Sequence, residues 1–508
     1  MAPGSVRHHG ILTVSVMMAT ILQALDATIA NVALPRMQGT LLATQDQMSW
    51  VLTSYIVSSA IMMPLTGWLA NRFDGKLVFL ISVGGFTISS VLCGMAQTLP
   101  EIVLFRALQG MSGAALIPLS QALLFDINPP ERHGTAMATW GVGATLGPIL
   151  GPALGGWLTE EYNWRYVFYI NLPIGILTFL GLLFFMPRQK GRRAADFDFF
   201  GFAFLALAIG AFQVMLDRGE IKDWFSSSEI ITEAIIAALA LYLLVIHSLT
   251  HKHPFLNMAM FTDRNFLTCT VYIFGFGTVM FATLALLPPM MQNLLNYPVV
   301  TAGFVTAPRG FGTMMGMMLV GRLIRRYDAR KLIGLGLVLI VLAMWGMARM
   351  SPLMDEWPMV STGLLQGFGL GLVYVPISTI AFATLPASVR NEGAAFFNLL
   401  RNLGSSIGIS TVQILLTRNT QTLHVAFAAD ITPFNTAAQP AMRAEGVDLT
   451  SQHGLAALNA EITRQAGMIA YLDDYWLIML MTLVLVPMLV ILQKPGGAAN
   501  SGAAVALD

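Results

Sequence analysis

Residues Gly67–Lys76 read GWLANRFDGK, and residues Gly321–Arg330 read GRLIRRYDAR. Each begins with a glycine where an apolar run ends, passes through clustered charge to an aspartate, and leads into another apolar run. The correspondence continues on both sides. Slid by 254 to 258 residues, Gln109-Gly110 falls on Gln366-Gly367, Pro118 and Ser120 on Pro376 and Ser378, and Gly147 and Gly151 on Gly404 and Gly408. A chance overlay of apolar runs would match leucines, whereas here glycine, proline and glutamine match. The chain is an internal repeat of two halves running in the same sense.

Composition says what the halves are made of. Of 508 residues, 56% are hydrophobic and 11% charged, against about 25% charged in soluble domains, and the mean hydropathy is +0.68. A surface so poor in charge must face lipid. Stretches of roughly 20 mainly apolar residues, the length that crosses a bilayer, can be placed fourteen times: six in 11–186, two in 187–264 and six in 265–493. The expected architecture is an all-α polytopic membrane protein. Two parallel six-helix halves are separated by a basic linker and two inserted helices, and residues 417–472 form the one long external loop, which could hold short amphipathic helices. An even number of spans puts both termini on one side. Loops on that side hold seventeen of the 28 Lys and Arg, loops on the other hold eight, and Arg106, Arg309 and Arg401 lie inside spans. The positive-inside rule then makes the termini cytoplasmic. Arg7, His8 and His9 precede the first apolar run, which lacks a small-residue cleavage site and reads as a retained helix. A net charge of +1 points to no nucleic acid or acidic partner. Cys93 and Cys269, both in apolar runs, build no disulfide framework or metal site.

Charges inside a bilayer cost about 2.5–3.5 kcal/mol each on insertion scales, which makes them the first functional suspects. Asp26 stands out as the only acid well inside a span. It lies about eight residues from the external end of the first helix and Arg106 about seven from that of the fourth, so both sit roughly 10–12 Å deep at about 1.5 Å per residue. Equal depth permits an ion pair. A carboxyl alone in apolar surroundings holds its proton, and one beside a guanidinium releases it. Parting and rejoining the two would switch proton affinity, which makes Asp26 and Arg106 the candidates for proton coupling; a static pair tying two helices together is the alternative. Arg309, Arg401, Asn31, Trp50, Tyr55, Gln109, Tyr374 and Asn398 are candidates to line a substrate cavity, the alternative for each being an ordinary interhelical contact. The 31 methionines suit an adaptable apolar pocket.

Two conformational motifs accompany these sites. In the fifth helix Gly143, Gly147, Gly151 and Gly155 recur every fourth residue, with Pro148 and Pro152 among them. Such a stripe admits a neighbouring helix closely, and the prolines bend it. Gly67, Asn71, Arg72 and Asp74, with Arg322, Arg325, Arg326, Asp328 and Arg330 in the repeat, put charge at helix ends where it could latch the halves in one state and release them in another. The alternative is a topological signal only. Enzyme motifs are missing: no H-E-x-x-H, Walker loop or G-x-S-x-G occurs, and no cofactor is implied. His251 and His253, in a loop, read as solvated. Without an ATP-binding element, an ion gradient must drive any transport.

A parallel repeat of six-helix halves is the layout of the major facilitator fold, with its substrate site near the midplane between halves. The segments Leu25–Pro35 (LDATIANVALP), Gly67–Lys76, Arg106–Gly110 (RALQG) and Gly143–Gly156 resemble the signature motifs of the fourteen-helix drug:proton antiporters of the major facilitator superfamily, EmrB type. Trp164-Arg165, Asn171–Gly175, Arg401–Gly408 and Pro433–Asn435 resemble that type as well, and the likeness runs from Ile11 to Lys494. The loop motif departs from the usual pattern at Asn71, where an Asp is usual, and at Asp74, where a Gly is usual. The resemblance implies proton-driven multidrug efflux from a bacterial inner membrane and, for the EmrB type, a periplasmic adaptor protein and an outer-membrane channel. A dedicated exporter of one metabolite, such as a fatty acid or siderophore-like product, shares the same fold. A non-transporting membrane sensor or scaffold would leave Asp26 unexplained.

Overall fold

The structure is a computed structural model that describes residues 8–188, 197–252, 254–256, 258–324, 326–386, 389–431 and 451–492. These residues form helices and turns, with no strand among them. The first half comprises α1 (His9–Leu41), α2 (Gln45–Arg72), α3 (Gly75–Met95), α4 (Leu99–Gly113), α5 (Leu116–Ile127), α6 (His133–Glu161), α7 (Tyr166–Tyr169) and α8 (Asn171–Phe185). The insert is α9 (Phe199–Arg218) and α10 (Ser228–Thr250), and the short α11 (Ala259–Thr262) leads into the second half. That half comprises α12 (Arg264–Asn293), α13 (Val299–Leu323), α14 (Ala329–Met347), α15 (Trp357–Ala383), α16 (Arg390–Asp430) and α17 (Gln452–Leu485).

Local chemistry sets where these helices begin. Asp74 accepts the Lys76 N–H at 2.9 Å and starts α3, and its repeat counterpart Asp328 accepts the Arg330 N–H at 3.1 Å and starts α14. The aspartate common to the two decapeptides is a helix cap in both halves. Reciprocal capping boxes, Thr44 with Gln47 and Thr98 with Glu101, start α2 and α4. The expected fourth span is broken at Ala114-Ala115 into α4 and α5, and the sixth at Ile170 into α7 and α8.

Eleven helical segments among the described residues are long and apolar enough to cross a membrane. The long helices α6, α13 and α16 are not among them, and their positions account for this. α6 packs against α13 and α16 against α2, so these helices form the seams between halves. A seam is built from small and polar side chains, which lowers hydropathy below that of a lipid-facing helix. The insert has the opposite character. On α10, Leu249 is 75% and Tyr242 62% exposed, an apolar outer surface of the kind lipid covers. α9 lies on α2 and α16: Asp217 accepts from the Thr53 hydroxyl, Gln213 Nε2 donates to Ser406 Oγ at 2.7 Å, and Ser410 Oγ donates to the Leu216 carbonyl at 2.9 Å. Cys93 and Cys269 are buried and unpaired.

The largest departure from expectation is the supposed external loop 417–472. Among the described residues it is mostly helix: α16 continues to Asp430 and α17 begins at Gln452. Residues 432–450 lie outside the described residues, as do 189–196 of the basic linker. With 41 residues, α16 is about 60 Å long at about 1.5 Å per residue, roughly twice the hydrocarbon thickness of a bilayer. Its far part pairs with the start of α17, His424 Nε2 lying 3.0 Å from Asn459 Oδ1. The two form a helical hairpin that projects from the end of the bundle opposite the decapeptides. Polar residues made the stretch read as loop, but alanine, leucine, glutamine and arginine are good helix formers. A second correction follows: Asp474 lies inside α17 and is 1% exposed, so Asp26 is not the only acid within a span.

Candidate functional site

Asp26 sits on α1, fully buried, and its carboxylate is held by three side chains from two other helices. Arg106 Nη1, on α4, donates to Oδ2 at 2.6 Å. Gln109 Nε2, one turn further along α4, donates to Oδ1 at 2.8 Å, and Asn171 Nδ2, at the start of α8, donates to the same oxygen at 2.9 Å. The guanidinium is equally enclosed. Its Nε donates to the Val51 carbonyl at 3.1 Å, Nη1 also reaches Gln109 Oε1 at 2.8 Å, and its plane lies 4.2 Å over the ring of Tyr55 on α2. Asn171 is steadied in turn by Ser90, at 3.0 Å on α3. Burial without donors would make this charge pair costly; with both carboxylate oxygens and the guanidinium hydrogen-bonded, it becomes a junction of helices. The sequence marks Asn171 only as part of the Asn171–Gly175 segment, with no role in the site, and does not mark Ser90, because an asparagine at a helix start carries no signal of its own.

The other candidates are distributed. Tyr374 and Asn398 meet through Gln121, from the other half: Gln121 Nε2 donates to the Tyr374 hydroxyl at 2.9 Å, and Asn398 Nδ2 donates to Gln121 Oε1 at 2.6 Å. Trp140 stacks on Tyr374 with 5.9 Å between ring centroids, so α5, α6, α15 and α16 share a buried polar seam between the halves. Arg401 is half-buried, with Nη2 donating to Asn402 Oδ1 at 3.3 Å. Arg309 is buried in the second half, where Nη2 donates to the Met280 carbonyl at 2.7 Å. Trp50 is apart from these, under the Arg218 guanidinium at 5.0 Å. Asn31 is exposed, on the same face of α1 as the exposed Ala27 and Pro35.

The glycine stripe faces α1. A Cβ on Gly147 would come within 2.6 Å of the Ala24 carbonyl carbon and the Leu25 nitrogen, and one on Gly155 within 2.9 Å of Ile29 Cγ1. Gly143 meets Met17 and Gly151 meets Thr28, so the stripe seats the helix that carries Asp26. The prolines Pro148 and Pro152 lie within the unbroken α6. In the second half Gly404 and Gly408 on α16 meet Phe274 and Thr278 on α12 in the same way. At the decapeptide end the halves are joined by different residues. Gly67 on α2 lies against the backbone of Glu392 on α16, where a Cβ would meet the Glu392 Cα at 2.7 Å. Asn71 Nδ2 donates to Glu392 Oε1 at 2.9 Å, and Asn391 Nδ2 donates to Asn71 Oδ1 at 3.1 Å. Asp126 and Arg390 add an ion pair at 2.8 Å. Within the decapeptides, Gly67, Asn71 and Gly321, whose carbonyl accepts from the Thr135 hydroxyl at 3.1 Å, take part in cross-half contacts; Arg72 is exposed, and Asp74 caps α3. Lys76 turns to its own half, donating to the Leu183 and Met186 carbonyls at 2.7 and 2.6 Å. Arg325 lies outside the described residues.

A bundle of two like halves with a buried charge junction in one of them matches a known family. The sequence profile of the Major Facilitator Superfamily fits residues 16–409. The chain is 33% identical over 499 residues to the multidrug export protein EmrB of Escherichia coli K12, covering 97% of each. This chain belongs to the major facilitator superfamily, in the family of EmrB. The same facilitator is 33% identical over 494 residues to the fatty acid resistance protein FarB of Neisseria gonorrhoeae, again covering 97% of each. Among solved structures, a double-tryptophan mutant of XylE superposes with a TM-score of 0.63 at 13% identity, covering 95% of each chain. The human organic anion transporter MFSD10 does so at 0.58 and 14%, covering 94% of this facilitator and 99% of that chain. These two show the fold.

Proposed function

We propose that this protein is a multidrug efflux transporter that exchanges protons for hydrophobic or amphipathic compounds, with Asp26 as the proton carrier. The observation that carries the reading is the junction of Asp26, Arg106, Gln109 and Asn171, which a purely structural helix contact would not need to charge. While Arg106 holds it, the carboxylate has no use for a proton; once α1 and α4 shift apart, the proton is the cheapest partner left. Proton uptake is thereby tied to helix movement. The fourteen-span reading gains support from α6, α13 and α16, whose low hydropathy reflects their place at the seams. Cytoplasmic termini put the Asn71–Glu392 contacts on the inner side and the helical hairpin on the outer side of a bacterial inner membrane, where it offers an adaptor protein a docking arm toward an outer-membrane channel. Asn31, Ala27 and Pro35 then face the space between halves from the outer side.

A second reading, export of fatty acids alone, is favoured by the FarB likeness and by Arg309 and Arg401, cations without an acid partner among the described residues. Uptake into everted vesicles tests both. With a panel of cationic, neutral and fatty-acid substrates, wild type accumulates several classes under a pH gradient and none with an uncoupler. Asp26→Asn binds the same compounds but loses gradient-driven uptake. Normal driven uptake by Asp26→Asn at normal expression would refute the coupling role, and accumulation of fatty acids only would select the narrower reading.

A further inference from the structure

The repeat leads from Asp26 to a second acid. A shift of 257 residues takes Asp26 to Thr283 and Gln109 to Gln366, and the two pairs make the same bond: Gln366 Nε2 donates to Thr283 Oγ1 at 3.0 Å, as Gln109 Nε2 does to Asp26 at 2.8 Å. The second half keeps the glutamine and lacks the acid on α12. Its arginine has changed helix. At the counterpart of Arg106 stands Gly363, where a Cβ would lie 3.7 Å from the Cβ of Arg309 on α13. Arg309 is itself the counterpart, at 254 residues, of Tyr55, over whose ring Arg106 lies.

An acid reappears on the helix that corresponds to α8, the source of Asn171. Asp474 on α17 is 1% exposed, and neither carboxyl oxygen has a hydrogen-bond partner among the described residues. Arg309 Nη1 is likewise buried without a partner. Tyr475, next to Asp474 in the chain, is within electrostatic reach of both, and its hydroxyl lies 3.8 Å from Met290 Sδ. The groups that bear on Asp474 are Asp473, Tyr471 and Tyr475 on its own helix, and Arg309 bears on Tyr475; among the described residues, the packed helices α12, α14 and α16 bring no charge to it. A carboxylate sealed from water with no donor is expensive, whereas the neutral acid is tolerated. Met290 lies less than one turn from the end of α12, so the site is near water on the hairpin side.

We propose that Asp474 is a second proton-carrying carboxyl, neutral while Arg309 is turned to the Met280 carbonyl and ionised when the arginine swings to it. The proposal rests on the reading of the protein as a proton antiporter and gives each half one acid–arginine site. External water supplies the proton to the carboxylate, and the same proton leaves when the guanidinium arrives.

Infrared difference spectroscopy of the purified full-length protein, titrated from acidic to alkaline buffer, reads the carboxyl directly. The expected result is a buried protonated-carboxyl band at neutral pH that Asp474→Asn removes, that Asp474→Glu restores at a displaced frequency, and that Asp26→Asn leaves in place. Ethidium uptake into everted vesicles is the second arm, in which Asp474→Asn lowers the number of protons exchanged per ethidium. A spectrum unchanged by Asp474→Asn overturns the proposal, as does an unchanged proton count. If the band is lost in Asp474→Asn but Asp26→Asn transports normally, the site stands and the Asp26 coupling role falls.

Discussion

The contact between α6 and α1 is tight enough for one methyl group to disturb it, and Gly147→Ala measures by how much. The added Cβ would sit 2.6 Å from the Ala24 carbonyl carbon, the Ala24 Cβ and the Leu25 nitrogen, where ordinary contact begins at 3.4 Å. Two of those three atoms are backbone, so no side chain can rotate away, and α1 must retreat by about 0.8 Å, the difference between the two distances. Overpacking of this kind costs about 1–3 kcal/mol, which at about 1.4 kcal/mol per tenfold is roughly a 5- to 150-fold bias toward states in which α1 and α6 are apart. Asp26 follows Leu25 directly, and its 2.6 Å bond to Arg106 would be strained by the same displacement. Gly156→Ala is the control, because its nearest neighbour would be Val32 Cγ1 at 4.0 Å. Initial rates of dye uptake in everted vesicles, normalised to inserted protein, should fall by at least about fivefold for Gly147→Ala, at the lower end of that overpacking cost, and not for Gly156→Ala. If Gly147→Ala matches wild type in rate and in thermal stability, α1 is not seated against α6 as described.

Three other outcomes follow from the structure. Gly67→Val drives a side chain into the Glu392 backbone, where even a Cβ meets the Cα at 2.7 Å, so spin labels at the exposed Arg72 and Thr384 should report a new, longer distance between halves; an unchanged distribution would sink the joining role of that end. Burial works against charge on Asp198, but the Gly201 N–H, His247 and the Phe255 N–H together hold its carboxyl below the ordinary 3.8. A folded value below the unfolded one means stability that is present above 3.8 and is lost as pH falls through the folded value, so the lower melting temperature of Asp198→Asn at neutral pH should converge on wild type in acid, and a pH-independent gap would remove the carboxylate from the account. Replacing residues 420–463 by a short flexible link should leave proton-driven uptake into vesicles intact and abolish co-purification of an adaptor; persistent co-purification would show that docking lies elsewhere.

What could be read in the sequence depended on how local the signal was. The repeat was legible because glycine, proline and glutamine are demanded by close contacts: Gly147 and Gly404 each lie against a neighbouring backbone, and Gln109 and Gln366 make matching bonds. Asp26 and Arg106 were legible because charge in an apolar run is conspicuous. Asn171, Ser90 and Gln121 were not, since polar residues that satisfy a buried group look like any other interhelical contact until the partners are brought together. The hairpin was misread for a different reason. Hydropathy reports where lipid is, so a helix that leaves the membrane fades from the signal although its backbone continues without a break. Asp474 was hidden by the same error, because an acid at the assumed margin of a span passes for a loop residue.

α16 begins at the Glu392 contacts with α2 and ends in the projecting hairpin. α16 runs as one continuous helix of 41 residues with no internal proline. Pivoted near Glu392, a tilt of about 10° would swing the far end of a rod about 60 Å long through roughly 10 Å. If the Asn71–Glu392 contacts part during transport, that movement is geared to the far end of α16, and a protein bound there would feel it as a mechanical displacement.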